Sequence, residues 1–152
     1  MSDKSDAIAA LEAARRETLD AIDGIPEEKL AAPVFGTWSI KDVICHLASW
    51  EQLAGADLQR VSRGHIPQLA TFRGEDVDDW NACLMRSRNL FPLPQVMFEL
   101  EDARRQLIDA LNALPDNLFT PGQMVRMLTD GLIHGEQSHI ADIRAWRQKE
   151  GV

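Results

Sequence analysis

Long stretches in which apolar residues recur every three or four positions dominate this sequence, and Gly or Pro residues separate them. Such spacing places the apolar side chains on one face of an α-helix. The first stretch runs from about Asp6 to Asp23 and stops at Gly24, before Pro26. No run alternates apolar and polar residues between turn residues, as a half-buried strand would. The spacing therefore predicts an all-α protein.

Four further helices follow from the same reasoning. Ser39 has Asp42 three residues later, an arrangement that resembles a capping box and predicts a helix start. Connections of several residues between four or five helices indicate an up-and-down four-helix bundle with an extra short helix or helical turn. A chain of 152 residues suffices for one core, so we expect a single domain over residues 1–152. The expected helices after the first cover about residues 39–61, 75–89, 94–114 and 123–149.

The charge balance argues against two classes of partner. Sixteen Lys and Arg stand against 24 Asp and Glu, which gives a formal charge of −8. A net acidic chain without a dense basic run repels phosphate backbones, so we expect no nucleic-acid partner. No apolar run approaches the ~20 residues that cross a bilayer, so we expect no membrane partner either.

Two features predict a cytoplasmic location. The polar N-terminal stretch lacks the hydrophobic segment of a signal peptide. The two cysteines, Cys45 and Cys83, are too few for a disulfide framework. We expect both to be reduced, buried thiols in the cytoplasm.

One histidine lies on an apolar face of the second long helix. Helical residues advance about 100° each, so His46 shares a face with Val43, Trp50 and Leu53. A buried imidazole needs partners for its ring nitrogens, and a metal ion is one such partner. A hydrogen bond to a neighbouring side chain or carbonyl is the alternative.

The last helix carries two more histidines. The inward stripe of this helix is expected to contain His139. Gly135 lies four residues before His139, at the position where a second ligand would be expected. The other members of the stripe are Val125, Leu128, Leu132 and Trp146, with Ile143 beside them. His134 is five residues before His139, about 140° around an ideal helix, so the two cannot easily share an ion.

Two arrangements could complete a metal site on this helix. A π-bulge would make residues five apart behave like residues four apart, and Gly135 could favour it. Alternatively, Glu136 and His139 form a Glu-x-x-His pair like that of carboxylate-bridged metal bundles. If neither applies, the second ligand is missing. The spacing leaves these alternatives open.

Three segments carry a family resemblance. "GTWSIKDVICHLASWE" resembles the second-helix signature of the DinB-like superfamily, and "SHIADIRAW" resembles its last-helix motif. "DVDDWNACLMRSRNLFPLPQVMFELEDARRQLIDALNAL" resembles the branch related to the colibactin self-protection protein. The resemblance implies a four-helix bundle that often holds a divalent ion through three histidines. It assigns His46 and His139 as ligands and leaves His134 or Glu136 to replace the middle one, whose position is Gly135.

The resemblance also implies chemistry on small electrophilic molecules. Members of the superfamily resemble thiol transferases and thiol-dependent isomerases, and the branch resembles a cyclopropane-opening hydrolase that detoxifies a DNA-alkylating product. A bound Zn, Ni or Fe ion would acidify water or a thiol near neutral pH. Glu51 and Glu136 are the carboxylates that the sequence places best as general bases, but the favoured interpretation of each is a solvated or salt-bridged surface residue, because Glu is common on helix faces.

We therefore expect a metal-dependent hydrolase or transferase of the detoxification or self-protection type. Two other hypotheses are kept: a metal-free bundle that binds or sequesters a small hydrophobic ligand, and a dimeric interaction protein. A homodimer is expected under all three, because bundles of this size often bury a further helix face.

Overall fold

The computed structural model describes residues 3–152. Helical residues make up 79% of the structure, and the sheet is limited to one short hairpin. The predicted all-α class is confirmed. The helices are α1 (Asp3–Ile22), α2 (Glu27–Ala31), α3 (Ile40–Ser62), α4 (Gly74–Arg88), α5 (Leu93–Asn112) and α6 (Met124–Glu150).

Short elements fill the connections. Strands β1 (Pro33–Phe35) and β2 (Trp38–Ser39) form an antiparallel hairpin just before α3. Two single-turn 3₁₀ helices, Gln68–Thr71 and Asp116–Phe119, follow Pro67 and Pro115. Proline lacks a backbone N–H and its fixed φ suits the start of a helix, which explains both positions.

The described chain divides into two compact units, residues 3–40 with 115–152 and residues 41–114. In the first unit, α1 packs along α6, and both contact the second 3₁₀ helix. Arg147 of α6 donates hydrogen bonds to the backbone carbonyls of Ala21 and Asp23, which supply partners at the end of α1. The buried residues of α1 recur every three or four positions: Ala7, Leu11, Ala14, Arg15, Thr18, Ala21 and Ile22.

The second unit contains most of α3 together with α4 and α5. Helix α3 is buried over much of its surface, and α5 buries one apolar stripe that includes Leu100 and Leu107. Helix α4 has no buried residue and is attached through polar and aromatic contacts of half-buried side chains. The prediction of one domain stays a prediction.

The predicted face of α6 is wrong by one position. Thr129, Glu136 and Ile140 are buried between Val125 and Ile143, whereas His139 is only half-buried. The predicted stripe left Glu136 outside it, and an unpaired carboxylate would be costly to bury. In the structure Glu136 has a cationic partner, so the cost is offset.

The two cysteines differ in exposure. Cys45 is buried as predicted, but Cys83 on α4 is exposed, because that helix buries no residue. Over residues 3–152, no helix is both long enough and apolar enough to span a bilayer.

Candidate functional site

His46 lies on α3 and belongs to a polar network with α4. Its Nδ1 is 3.0 Å from Oδ1 of Asn81. The indole Nε1 of Trp50, one turn further along α3, lies 2.9 Å from the same Oδ1 and 3.1 Å from Nδ1 of His46. Three polar atoms from two helices therefore meet at one point.

Two assignments of the hydrogens fit this network: the Trp50 indole N–H donates to Nδ1 of His46, or Nδ1–H of His46 donates to Oδ1 of Asn81. The Trp50 indole can only donate, so the atom that it approaches on Asn81 must be the carbonyl oxygen. A carbonyl oxygen has two lone pairs and accepts a second hydrogen bond, which His46 supplies if Nδ1 carries the proton. In the neutral ring, Nε2 then carries the lone pair. This is the form that a general base or a metal ligand requires.

Aromatic rings cover one side of the network. The Trp50 ring lies edge-on to His46, with centroids 6.0 Å apart. Phe72 lies between two indoles, 6.1 Å from Trp50 and 6.0 Å from Trp80. Edge-to-face and tilted contacts at these distances are favourable for aromatic pairs.

Asp57 holds the chain segment that brings Phe72 to this position. Its carboxylate is fully buried and accepts the backbone N–H groups of Gln68 at 2.7 Å and Leu69 at 2.8 Å. Arg60, one turn along α3, donates to the same carboxylate at 2.8 Å. The first 3₁₀ helix is thus fastened to α3 by charge-assisted hydrogen bonds.

The two predicted general bases are both buried and both paired with arginine. Glu51 receives two hydrogen bonds from the guanidinium of Arg104 on α5, one from Nε at 3.2 Å and one from Nη2. Glu136 accepts a hydrogen bond from Nε of Arg15 on α1 at 2.9 Å. These contacts give each carboxylate a structural role, and the general-base assignment stays a prediction.

Thr18 supplies a further hydrogen bond to Glu136. Its hydroxyl lies 2.7 Å from Oε1 of Glu136 and 3.1 Å from the carbonyl oxygen of Ala14. A hydroxyl has one proton, and the shorter contact to the charged acceptor is the stronger of the two.

His139 is half-buried on α6, and burial lowers its pKa below the usual value. The negative charges of Asp142 and Glu136 oppose this shift but do not cancel it. His139 is therefore neutral at pH 7 and carries a lone pair on one nitrogen.

His134 is exposed, and α6 is α-helical from Met124 to Glu150 without a π-turn. The wide turn that would bring His134 and His139 together is therefore absent from this helix. Gly135 is not required by packing, since a Cβ built there would meet no atom within 4 Å.

The donor set does not match the three-histidine centre that the resemblance implies. Among residues 3–152, no three or more His, Cys, Asp or Glu side chains are grouped so that they could hold an ion. Glu136, the carboxylate that could replace the middle histidine, is paired with Arg15. His46, His139 and His134 as metal ligands stay predictions.

Sequence reasoning missed the role of Asn81 and of Asp57. Asn is a poor helix former, so an asparagine in the interior of α4 is a signal for a specific hydrogen bond. An Asp near the C-terminal end of α3 opposes the helix dipole, which is a similar signal. Neither signal identifies the partner.

A family comparison bears directly on this site. The family model described as the DinB superfamily matches residues 10–132, which is most of the chain. This chain belongs to the DinB superfamily. Its all-α fold is DinB-like, and members of the superfamily often bind divalent metals. No curated protein matches the chain.

The extent of the DinB match separates the two histidine regions. It includes His46 and Asn81, whereas it ends at Leu132, before His134 and His139. The narrower resemblance to the branch of the colibactin self-protection protein stays a prediction.

Proposed function

We propose that this DinB-superfamily protein converts small electrophilic molecules, as a hydrolase or a thiol transferase, with His46 as the proton acceptor. The observation that supports the proposal most is the hydrogen bond between Nδ1 of His46 and Oδ1 of Asn81. In the proposed tautomer, which donates from Nδ1, the lone pair of the neutral ring is on Nε2 and Asn81 restrains the ring on α3. A base oriented by a third group is the usual arrangement in acid–base catalysis.

In the proposed reaction, His46 takes up one proton and later releases it. Nε2 takes the proton from a water molecule or a small thiol as its oxygen or sulfur bonds to the electrophilic carbon. The bond from that carbon to the leaving group breaks, and Nε2 of His46 gives its proton to the leaving group, which restores the neutral ring. The Asn81 carbonyl stabilises the imidazolium formed in between, because it accepts a hydrogen bond from Nδ1–H.

A divalent ion is the cofactor that the superfamily suggests, with Zn, Ni and Fe as the candidates. Such an ion would acidify water or a thiol. Because the described residues do not supply a three-donor set, the proposed steps use His46 and Asn81 alone.

The first test is turnover of two probes by chelator-treated, untagged protein. Styrene oxide reports hydrolysis, and monochlorobimane with cysteine reports thiol transfer. We expect His46→Ala to lower the rate by about 10²–10⁴-fold, which is the usual contribution of general acid–base catalysis. His65→Ala is the matched control, because His65 is exposed in a loop.

Asn81 variants separate positioning from folding. Asn81→Ala should lower the rate and alter its pH profile, because Nδ1 loses its acceptor. Asn81→Asp keeps an acceptor, so it should retain more activity and shift the profile to higher pH. Wild-type protein that turns over neither probe, or a His46→Ala variant as active as the wild type, would refute the proposal.

Elemental analysis tests the metal ligands separately. Metal at near-stoichiometric level that is lost in both His46→Ala and His139→Ala would support them as ligands. Gly135→His is a gain-of-function arm, since it places a histidine four residues before His139 where a Cβ has room. It should bind Zn²⁺ more tightly than the wild type, and at a hundredfold excess over Kd the ion would stabilise the protein by about 2.7 kcal/mol.

The second candidate is a metal-free protein that binds or sequesters a small ligand. A surface pocket of about 410 Å³ beside the ring cluster favours it, because Phe72 and Trp80 form part of its wall. A homodimer is proposed under either function, and its test is the molar mass in solution.

A further inference from the structure

The pocket in the second unit has an unusual combination of wall residues. It is formed where the first 3₁₀ helix meets α4, and Phe72 and Trp80 contribute aromatic rings. Asp76 and Asp79 contribute carboxylates, and Cys83 contributes a thiol. A volume of about 410 Å³ lies within the usual range of roughly 300–1,000 Å³ for small-molecule sites.

The wall follows from the local fold. Asp76, Asp79, Trp80 and Cys83 lie at spacings of three, four and seven residues, so they share one face of α4. The opposite wall is the 3₁₀ helix whose backbone Asp57 holds. Both walls therefore belong to regular, tethered elements.

The charge of the wall selects the ligand. Of the described residues that line the pocket, two are aspartates and none is Lys or Arg. Asp76 already accepts a hydrogen bond from the backbone N–H of Arg73 at 2.7 Å. Asp79 is therefore the carboxylate better able to pair with a bound cation. Arg73 is exposed and is not part of the wall. The field in the pocket therefore favours a positive charge.

The aromatic rings select among cations. A small inorganic cation needs several oxygen ligands, and two carboxylates, one already engaged, supply too few. An organic ammonium ion is weakly hydrated, and its apolar part can pack against Trp and Phe rings while its charge pairs with a carboxylate. Rings and carboxylate in one pocket thus recognise the two ends of an organic ammonium ion.

We propose that this pocket binds a small organic cation, an aromatic or alkyl ammonium compound, with the charge next to Asp79 and the apolar part against Phe72 and Trp80. The proposal does not require turnover at His46. It adds a ligand class that the electrophile chemistry does not imply.

Cys83 makes the site measurable. The Cys83 thiol is exposed in the pocket wall, whereas Cys45 is buried and its pKa is raised to about 11, mainly by burial. The thiolate is the reactive form, so Cys45 reacts slowly at neutral pH and iodoacetamide reports on Cys83. A ligand in the pocket should slow alkylation of Cys83, which mass spectrometry of the intact chain follows.

The experiment uses benzyltrimethylammonium as the cation, benzyl alcohol as a neutral aromatic and benzoate as an anion. We expect saturable binding by calorimetry and protection of Cys83 with the cation only, both weakened by added salt. At matched ionic strength, calcium chloride should weaken binding of benzyltrimethylammonium no more than sodium chloride does.

Asp79→Asn should weaken binding of the cation about fivefold, the effect of one charge at about 4 Å in water. Asp78→Asn is the matched control, because Asp78 is exposed on the same helix and does not line the pocket. Equal effects of the two variants, equal protection by benzyl alcohol, or binding without protection of Cys83 would overturn the proposal. None of these results depends on the activity of His46.

Discussion

The two units each bury one arginine–glutamate pair and each carry one half-buried histidine, but they hold the histidine in different ways. In the first unit, Arg15 of α1 pairs with Glu136 of α6, and His139 follows one turn later. In the second, Arg104 of α5 pairs with Glu51 of α3, and His46 precedes it. The pairs join helices in both units.

The difference lies in what determines the state of each imidazole. Burial lowers the pKa of His139 and so favours its neutral form. Asn81 and Trp50 both contact Nδ1 of His46 and restrain its ring. A directed hydrogen bond therefore defines a chemical role more closely than burial does, which is why the proposed function rests on the second unit.

The largest expected effect comes from breaking either buried pair. Arg15→Met and Arg104→Met should each lower the free energy of unfolding by about 3–5 kcal/mol, because each leaves a buried carboxylate without its cation. Urea unfolding measures the loss. Replacing both partners of a pair by apolar residues should recover much of it.

The exposed pair between Arg144 and Glu17, 3.0 Å apart, is the control for this experiment. Arg144→Met should cost no more than about 1 kcal/mol, since solvent screens an exposed pair. Similar costs for Arg15, Arg104 and Arg144 would show that burial does not distinguish the pairs.

A smaller effect is expected from the hydroxyl that distinguishes the first pair. Thr18→Val should cost about 1.5–3 kcal/mol, because it removes a hydrogen bond to a buried charge. Thr129→Val is a matched control. The Thr129 hydroxyl donates to the backbone carbonyl of Val125 in its own helix at 2.8 Å, a type of bond that does not stabilise the helix. The same denaturation assay compares them, and equal losses would contradict the assignment.

Acid should weaken the first unit through His139. Its pKa is lower in the folded protein than in the unfolded chain, so below about pH 6.5 the unfolded chain binds more protons. The contribution to stability is complete above that pH and is lost as the pH falls through the folded pKa. His139→Gln should therefore have a flatter stability profile between pH 7 and pH 5 than the wild type. A profile unchanged by the substitution would contradict this.

Alkali should weaken the second unit through Cys45. Burial raises the pKa of this thiol from 9.0 to about 11, so the unfolded chain ionises first. The contribution is complete below pH 9 and is lost as the pH rises to about 11, with a slope of at most about 1.4 kcal/mol per pH unit. Cys45→Ala should remove that slope, and measurements between pH 7 and 9 give the baseline for both proteins.

The helices could be predicted from local pattern. Each of the five long helices lies within a few residues of its expected range, because apolar spacing and Gly or Pro at the ends act over short distances. The extra short helix or helical turn was expected, and it is α2, whereas the hairpin and the two 3₁₀ helices were not assigned in the sequence. Elements of two to five residues depend on packing more than on their own periodicity.

The site was less predictable, and Glu136 shows why. Its partner Arg15 is 121 positions away in the sequence, so nothing local to α6 indicates that a carboxylate is neutralised in the core. Without that partner, the stripe through Leu128, Leu132 and His139 is the reasonable assignment. Cys83 was misassigned for a related reason, since the burial of α4 depends on its neighbours.

By itself, the sequence determined the all-α class, the long helices and the superfamily, since these depend on spacing and motifs within single segments. It also placed His46 on an inward-directed helix face. Only the tertiary structure decided that Asn81 is a partner of His46, that Glu51 and Glu136 are bound to arginines, and that Asp79, Trp80 and Cys83 share a pocket wall with Phe72. The reason is physical: a proton's position, a buried charge's cost and a pocket's field are set by partners from distant segments.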